Sequence, residues 1–178
     1  MPAGRRRTDD RSAVADLQWL IERLEAGEPI RINCGGADYP VLGDVAWGRD
    51  RFFRGGTSVT TYREEISRTE SDVLYHSQRR FLEQELSPAG YRVPLPPGEY
   101  AVVFHFAEVD PSPCGLRRFD IVLGGGAVRL EYESTSSGFA TAEARVVELR
   151  VEDGLLEVDF IEEFDSPTVA GIEIVHTG

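Results

Sequence analysis

The feature that most constrains this chain is a series of short apolar-rich segments separated by turn-forming residues, which begins near residue 30. Pro-Gly, Gly-Gly, Asp-Gly and Ser-Pro sequences lie between the segments, as is typical of turns that join short strands. No second helical pattern separates them, which favours an antiparallel sandwich over alternating strands and helices. We predict strands at residues 30–33, 100–107, 119–123, 127–132, 143–151, 155–161 and 169–175.

Two of these segments alternate apolar and charged residues. In residues 146–151 and 155–160 an apolar side chain recurs at nearly every second position, which predicts strands with one buried and one solvent-exposed face. Asp153-Gly154 lies between them and is a preferred hairpin turn, so we predict that the two strands pair as a hairpin. The segment at 100–106 is apolar enough for a central strand, with one face formed by Tyr100, Val102, Phe104 and Phe106.

One amphipathic helix precedes the strands. Apolar residues recur at three- and four-residue steps from Val14 to Leu24, with charged residues on the other faces. Gly27 and Pro29 mark its end, because Gly accepts a positive φ and Pro cannot continue a helix. We expect Trp19 to cover an edge of the sandwich, and we expect the helix to pack on it through Val14, Leu17, Leu20 and Leu24.

The chain therefore divides into three predicted segments. Residues 1–10 are polar and charged and are expected to be disordered, residues 11–28 form the helix, and residues 29–178 form one sandwich domain. With 178 residues, of which 41% are hydrophobic, one domain can bury a sufficient core without disulfides or metals. Cys34 and Cys114 are expected to be free thiols, because two cysteines do not make a disulfide framework.

The charge of the chain argues against several classes of partner. Lys and Arg total 19 and Asp and Glu total 31, which gives a formal net charge of −12. Such a surface repels nucleic acid and anionic membranes, so neither is an expected partner. Arg5, Arg6 and Arg7 are followed by polar residues rather than by an apolar stretch, so no export signal or membrane span is expected and the predicted location is cytoplasmic.

The common motifs of catalysis do not occur in the sequence. It has no Gly-x-Ser-x-Gly, no phosphate-binding Gly-Lys-Ser/Thr and no dinucleotide fingerprint, and the glycines at 124–126 lie between two predicted strands as a hairpin tip. His76, His105 and His176 lack the spacing of metal ligands. We predict a protein that is not an enzyme and that uses neither a metal nor a cofactor.

Five stretches together resemble the malectin and malectin-like carbohydrate-binding domains, in the family's order and from about Ile30 to His176. They are RINCGG at 31–36, DVLYHSQR at 72–79, GEYAVVFHFAEV at 98–109, RFDI at 118–121 and FDSPTVAGIEI at 164–174. The resemblance implies an all-β fold, an antiparallel β-sandwich that is jelly-roll-like and galactose-binding-like, with the N-terminal α-helix outside the matching part. It also implies a glucose-type oligosaccharide as the ligand.

The resemblance further implies where a sugar would lie. In malectins a hollow at one end of the sandwich holds the sugar between aromatic rings and one aspartate, since sugars offer apolar faces to rings and hydroxyl pairs to acceptors. Asp165 falls at the place of that aspartate, with the alternative that it only organises its own turn. Tyr62 falls near the place of one ring, and Arg80 or Phe81 at the place of another.

This chain departs from animal malectin at one of the ring positions. Two aromatic residues of the family are replaced here by Asp110-Pro111, so the family's sugar specificity is not assumed. Arg79 and Glu108 are expected to be structural, as members of a buried or half-buried ion pair, and Tyr75 is expected to be structural as well. The expected ligand-binding set is Tyr62, Phe81 and Asp165, with Trp47 and Asp110 as second choices.

Two hypotheses about function follow. The first is a non-catalytic module that recognises a short glucan or related glycan. The alternative is a protein-interaction module that keeps the fold without the sugar site and that binds a protein partner or self-associates through the N-terminal helix.

Overall fold

The computed structural model describes residues 5–40, 46–61, 65–82, 88–110, 117–134 and 138–178. The described elements are, in chain order, α1 (Arg5–Glu25), β1 (Ile30–Asn33), β2 (Tyr39–Pro40), β3 (Ala46–Trp47), β4 (Phe53–Arg54), β5 (Thr57–Thr60), α2 (Asp72–Tyr75), β6 (Ser77–Arg80), β7 (Gly90–Pro94), β8 (Gly98–Phe106), β9 (Arg118–Leu123), a 3₁₀ turn (Gly124–Gly126), β10 (Val128–Glu133), β11 (Glu143–Val151), β12 (Leu155–Phe164), β13 (Thr168–Val169) and β14 (Gly171–His176).

Two antiparallel sheets form the sandwich. One has the strand order β1-β14-β8-β11 and the other the order β10-β9-β12-β7-β4. Side chains of both sheets share one core cluster, for example Phe104 of β8, Ile121 of β9 and Phe160 of β12. A three-stranded sheet, β13-β6-β5, and the ribbon β2-β3 flank them. The predicted all-β antiparallel sandwich is confirmed.

Strand β8 is the centre of the four-stranded sheet. It pairs with β11 on one side and with β14 on the other. Its inward side chains are all buried, as the alternation of the sequence predicts, and each contributes roughly 1.5–3 kcal/mol by leaving water. These side chains are Tyr100, Val102, Phe104 and Phe106.

The hairpin predicted around Asp153-Gly154 is wrong. Strand β11 pairs with β8 in one sheet, whereas β12 pairs with β7 and β9 in the other, so the turn carries the chain across the core from sheet to sheet. Alternation reports which face of a strand is buried, and two strands that face each other across a core alternate just as two paired strands do. The glycine turn at 124–126, in contrast, joins β9 to its antiparallel partner β10 as predicted.

Helix α1 packs on the sandwich through two of the four predicted leucine and valine positions and not through the other two. Leu20 is buried in the core, and Trp19 and Leu24 pack partly buried against it. Val14 and Leu17 are instead 65% and 43% exposed, so the expectation that they pack on the sandwich is wrong. The contact between the helix and the rest of the protein includes a polar residue, because Asp16 forms an ion pair with Arg49. The spacing of apolar residues alone does not identify a contact face that includes charged residues.

The bounds of α1 also differ from the prediction. The helix begins at Arg5 and ends at Glu25, rather than spanning residues 11–28, so it includes residues 5–10 of the segment that the sequence predicts to be disordered. Arg is a good helix former and neither Gly nor Pro interrupts residues 5–25, so the sequence allows one continuous helix. Among the described residues, none of the helices combines the length and the apolar character that a membrane span requires.

Candidate functional site: a charged rim

Charged side chains from four separate segments meet at one end of the sandwich. They come from the end of β6, from the segment after β8, from the residue before β9 and from the turn after β12. We call this set the rim network, and it consists of Arg80, Glu108, Asp110, Arg117 and Asp165.

Arg117 is the centre of the rim network. Its side chain is only 3% exposed, and its Nε donates to Glu108 Oε2 at 2.9 Å. Its two terminal nitrogens lie 3.3 Å from Asp165 Oδ1 and 3.8 Å from Asp110 Oδ2, and one of them also donates to the carbonyl of Ser166. A buried guanidinium with three carboxylates around it holds the surrounding loops in one arrangement.

The outer part of the network is reachable from solvent. Arg80 donates to Asp110 Oδ2 at 2.8 Å, and both side chains are partly exposed. The backbone N–H of Asp110 donates to Glu108 Oε1 at 3.0 Å, which fixes the loop after β8. Arg80 Nε is shielded and has no hydrogen-bond partner among the described residues. The partly exposed side chains of Arg80 and Asp110 therefore place a hydrogen-bond donor and an acceptor side by side. Recognition of paired hydroxyl groups requires such an arrangement.

Asp165 makes contacts both within its own turn and with the rim network. It has a positive φ of 59°, a conformation that Asp tolerates better than most residues, and its Oδ1 accepts from the N–H of Ser166 at 2.6 Å. The same oxygen faces Arg117. Asp165 therefore does organise its own turn, as the alternative interpretation of the sequence expects. Its partly exposed carboxylate is also a member of the rim network.

Phe81 does not supply a ring to this site, contrary to the prediction. It is 2% exposed and stacks on Phe160 with ring centroids 4.7 Å apart, inside the core. Its neighbour Arg80 reaches the rim instead, because successive residues of an extended segment point in opposite directions. Tyr62, the other predicted ring, lies outside the described residues.

Trp47 also differs from the prediction. Its ring is 6% exposed and packs edge-on against His105, with centroids 5.3 Å apart. A side chain at Gly171 would approach the Trp47 ring to 3.0 Å, which shows how closely the backbone lies against it. Trp47 thus offers little surface to a ligand at the rim, and its accessible part lines a pocket beside α1. The predicted set is split: Asp110 and Asp165 meet at Arg117, whereas Phe81 and Trp47 are packed elsewhere.

Two exposed rings beside the rim were not predicted from the sequence. Phe139 is 51% exposed and forms a backbone bridge with Glu108. Phe164 is 50% exposed and directly precedes Asp165. Phe139 follows a run of Ser and Gly, and an aromatic residue in a polar stretch is the same signal that singled out Tyr62.

A second buried network supports the loops below the rim. Arg79 Nε donates to Asp50 Oδ2 at 2.6 Å, and the Tyr91 hydroxyl donates to Asp50 Oδ1 at 2.9 Å. Burial raises the pKa of Asp50, while the charge and the hydrogen bond of Arg79 act in the opposite direction. Arg79 and Glu108 are both in buried ion pairs, as expected, but with Asp50 and Arg117 rather than with each other.

Among the described residues, neither a thiol nor a metal-binding cluster belongs to the rim network. Cys34 is a free thiol buried in the core, and burial raises its pKa, whereas Cys114 lies outside the described residues. Within the described ranges, no group of three or more His, Cys, Asp or Glu side chains could hold a metal ion.

His105 lies on the outer face of β8 under two aromatic residues. The Tyr75 hydroxyl is 3.2 Å from His105 Nδ1, and Trp47 packs against the imidazole. Burial lowers the pKa of His105, while the charge of Glu173 raises it and that of Arg31 lowers it. The imidazole is therefore kept neutral in the folded protein.

This lowered pKa predicts a pH dependence of stability. The unfolded chain binds a proton at His105 near the ordinary histidine pKa of about 6.5, which the folded protein does not, so the free energy of unfolding should fall as the pH drops below that value. In His105→Phe this component should be absent, whereas His176→Phe, at an exposed position, should retain it. Urea denaturation at about pH 7.5 and about pH 5.5 measures the difference. An unchanged pH slope in His105→Phe would contradict the prediction.

Comparisons with known proteins identify proteins that are similar to this chain in sequence or in fold. The kinesin-like protein KIN-14R of Arabidopsis thaliana is 32% identical over 150 residues, which cover 79% of this chain and 13% of that protein. The structure of a Bacteroides uniformis beta-glucuronidase superposes with a TM-score of 0.74 at 18% identity, over 86% of this chain and 18% of that chain. This second likeness is one of fold alone.

Plant proteins give similar superpositions. A chain in the crystal structure of the plant peptide RALF23 in complex with FER and LLG2 has a TM-score of 0.66 at 19% identity, over 81% of this chain and 47% of that chain. The ANXUR2 extracellular domain from Arabidopsis thaliana has a TM-score of 0.65 at 16% identity, over 82% and 47% of the two chains. The chain thus spans less than half the length of each of these four proteins.

The family model of the malectin domain matches the part of the chain that forms the sandwich and leaves out helix α1. Because the match extends over residues 29–175, which is well over half of the 178 residues, this chain belongs to the malectin domain family.

Proposed function

We propose that this domain is a non-catalytic glycan-binding module and that its site is the rim network. The observation that carries the proposal is the convergence of Asp110 and Asp165 from distant segments on the buried Arg117, with Arg80 of a third segment paired to Asp110. Charged side chains that are fixed before a ligand arrives recognise pairs of hydroxyl groups without the entropy loss of ordering long side chains.

The rings beside the rim support this proposal. A sugar places its apolar C–H face on an aromatic ring and its hydroxyl groups on charged or polar partners. The backbone of Phe139 forms a bridge with Glu108, Phe164 directly precedes Asp165 in the sequence, and each ring is about half exposed. In this proposal the two rings serve in place of the pair that the family has where this chain has Asp110-Pro111. The proposed ligand is a short glucan or a related glycan, bound in a pose that depends more on charged hydrogen bonds than on stacking.

Substitutions in the partly exposed part of the rim test the proposal. Asp165→Asn keeps an acceptor for the N–H of Ser166 and tolerates the positive φ, while Arg80→Met removes only the guanidinium. We expect each to weaken glycan binding by roughly tenfold or more, because a charge-assisted hydrogen bond is lost. A glycan array on the wild-type protein identifies the ligand, and calorimetry with that ligand measures the change.

The matched control lies at the other end of β8. Arg150→Met on β11 removes an exposed guanidinium that pairs with Glu99, its register partner near the start of β8 and away from the rim, and it should bind as the wild type does. Circular dichroism verifies that each variant is folded. If the wild type binds no glycan on the array, or if both rim variants bind as tightly as Arg150→Met, the rim is not a sugar site.

The second candidate function is self-association through α1, and a specific surface favours it. Val14, Leu17 and Ile21 form an exposed stripe on the helix, spaced by three and four residues. Basic residues are concentrated in the first half of the helix and acidic residues in the second half, so two copies in antiparallel register bring opposite charges together. The proposed partner on this stripe is a second copy of the chain.

Sedimentation velocity tests this second candidate. The wild type should form a dimer, and Leu17→Asp should be monomeric because the substitution places a charge in the shared apolar contact. Leu155→Asp, which adds the same charge at another exposed leucine, should remain dimeric. A point substitution is sharper than deletion of residues 1–28, because the deletion also removes Leu20 from the core. A monomeric wild type would exclude the stripe as a dimer contact.

A further inference from the structure

Strand β11 is the outer strand of the four-stranded sheet, and one of its edges has no partner strand among the described residues. The strand pairs with β8 over all nine of its residues without a shift in register, and its sequence contains no proline. Proteins commonly block long, regular edge strands with a bulge or a proline, because such an edge accepts a further strand. The free edge of β11 carries neither of these devices.

The hydrogen bonds of β8 identify the backbone groups of β11 that face this free edge. The N–H of Glu99 donates to Gly178, and its carbonyl accepts from Thr177, so Glu99 bonds on the side of β14. Because the two sides alternate along a strand, Tyr100 and every second residue from it bond to β11 instead. The residues of β11 between their partners direct their N–H and C=O groups to the free edge. These exposed residues are Ala144, Val146, Glu148 and Arg150.

A pocket of about 680 Å³ lies beside the end of this edge. The turn between β9 and β10 forms one wall, and a Cβ placed on Gly124 would lie 3.8 Å from Leu149 Cδ1 of β11. Leu149, Val151 and Leu156 give the pocket buried apolar lining. A strand added beside β11 directs every second side chain to the side on which Leu149 lies, toward this pocket. Unpaired backbone groups beside such a pocket are the two elements of sites that bind peptides by strand addition.

The charges around the pocket favour a basic ligand. Glu152, Asp153 and Glu157 line it, and one of the described lining residues, Arg150, is basic. Arg150 is already paired with Glu99 at 3.0 Å, whereas Glu152 is 75% exposed. The formal net charge of −12 attracts a cationic segment over a longer range as well.

We propose that the free edge of β11 binds an extended segment of a partner protein, with apolar side chains at every second position and basic side chains between them. The segment pairs antiparallel with residues 144–150, since antiparallel ladders form this whole sheet and are slightly more stable than parallel ones. One apolar side chain enters the pocket beside Leu149. This site lies at the opposite end of β9 and β12 from the rim network, so it goes beyond the proposed glycan function.

Fluorescence anisotropy with labelled peptides tests the proposal on the full chain. The probe is a fluorescein-labelled octapeptide of alternating Val and Arg, which should bind with saturation. The same peptide with Glu in place of Arg should bind roughly tenfold more weakly or worse, because acidic side chains line the pocket.

Methylation of the peptide backbone tests the strand pairing without changing the charge. In an antiparallel pair, residues that exchange hydrogen bonds have their side chains on the same face, so the Arg nitrogens of the probe bond to β11 when Val points to the pocket. Methylation of these nitrogens should weaken binding roughly tenfold or more. Methylation of the Val nitrogens, which face away from β11, is the matched control and should leave binding unchanged.

Two pairs of protein variants test the site from the other side. In Val146→Pro the lost N–H faces the free edge, so the ladder to β8 is kept while the edge is blocked, and binding should fall roughly tenfold or more. Val146→Thr keeps the edge and should bind as the wild type does. Glu152→Lys should weaken binding by about threefold to tenfold, whereas Glu25→Lys on α1 makes the same charge change elsewhere and should not. Circular dichroism verifies that each variant is folded.

Several outcomes would overturn the proposal. These are the absence of saturable binding of the Val-Arg peptide, equal binding of the two methylated peptides, and unchanged binding in both Val146→Pro and Glu152→Lys. Binding of the Val-Glu peptide that is as tight as that of the Val-Arg peptide would overturn the basic character of the partner. A dimer that persists in Leu17→Asp and is lost in Val146→Pro would assign the edge to a second copy of the chain instead. Asp165→Asn at the rim should bind the peptide as the wild type does, so a failed glycan array leaves this result unaffected.

Discussion

Replacing Arg117 with Met should lower the free energy of unfolding by about 3–5 kcal/mol, because the substitution leaves a buried carboxylate without its counter-charge. Glu108 is 8% exposed and depends on Arg117 for the ion pair at 2.9 Å. The same substitution releases Asp165 and the carbonyl of Ser166, which Arg117 also holds. The rim should lose its fixed geometry together with the stability of the domain.

Urea denaturation compares this variant with its sequence neighbour. Arg118→Met removes an arginine that is 50% exposed and whose nearest carboxylate, Glu133, is 3.7 Å away, so it should cost less than about 1 kcal/mol. If Arg117→Met costs no more than Arg118→Met, the buried network does not hold the rim together.

Replacing Asp50 with Ala should have a comparable effect on stability. The Asp50 carboxylate accepts from Arg79 Nε at 2.6 Å, from the N–H of Gly35 at 2.7 Å and from the Tyr91 hydroxyl at 2.9 Å. Without it the buried guanidinium of Arg79 has no ion-pair partner among the described residues, and we expect a loss of about 3–5 kcal/mol. Asp50→Asn keeps two acceptor contacts and should lie between the wild type and Asp50→Ala.

An exposed, paired carboxylate is the control for Asp50. Glu152 is 75% exposed and lies 3.7 Å from Arg150, so Glu152→Ala should change the free energy of unfolding by less than about 1 kcal/mol. The measurement is again the urea midpoint and slope at neutral pH. Equal losses for Asp50→Ala and Glu152→Ala would mean that the carboxylate of Asp50 does not stabilise the loops below the rim.

Much of the fold could be predicted because burial imposes a period of two on the long strands β8 and β11 and on most of β12. Strand β8 illustrates this, since each residue expected to face inward is buried. The pairing of strands cannot be predicted from alternation, because alternation does not identify the neighbouring strand. The turn at Asp153-Gly154, which crosses from one sheet to the other, is an example. The face of α1 that contacts the sandwich follows only in part from the apolar pattern. Ion pairs such as that between Asp16 and Arg49 also stabilise this contact.

The candidate site could be predicted only in part. The family resemblance brought Asp110 and Asp165 to one place, and the structure brings both to Arg117, while their role in binding stays a prediction. Phe81 was misassigned because a shift of one residue along a strand exchanges a rim position for a core position. The pocket beside α1 that Trp47 lines does not follow from the sequence, because its walls come from a helix outside the resemblance and from a ribbon of two-residue strands.

The pairing of β1 with β14 has a consequence for how the domain is made on the ribosome. Ile30 pairs with Ile174, so the first and the last strand of the sandwich lie side by side and their contact spans nearly the whole sequence. Contacts between such distant residues form late, since a long loop must first close. The edge of β8 that β14 covers stays open until β14 has been synthesised, and the nascent chain exposes its apolar strands to chaperones for that time.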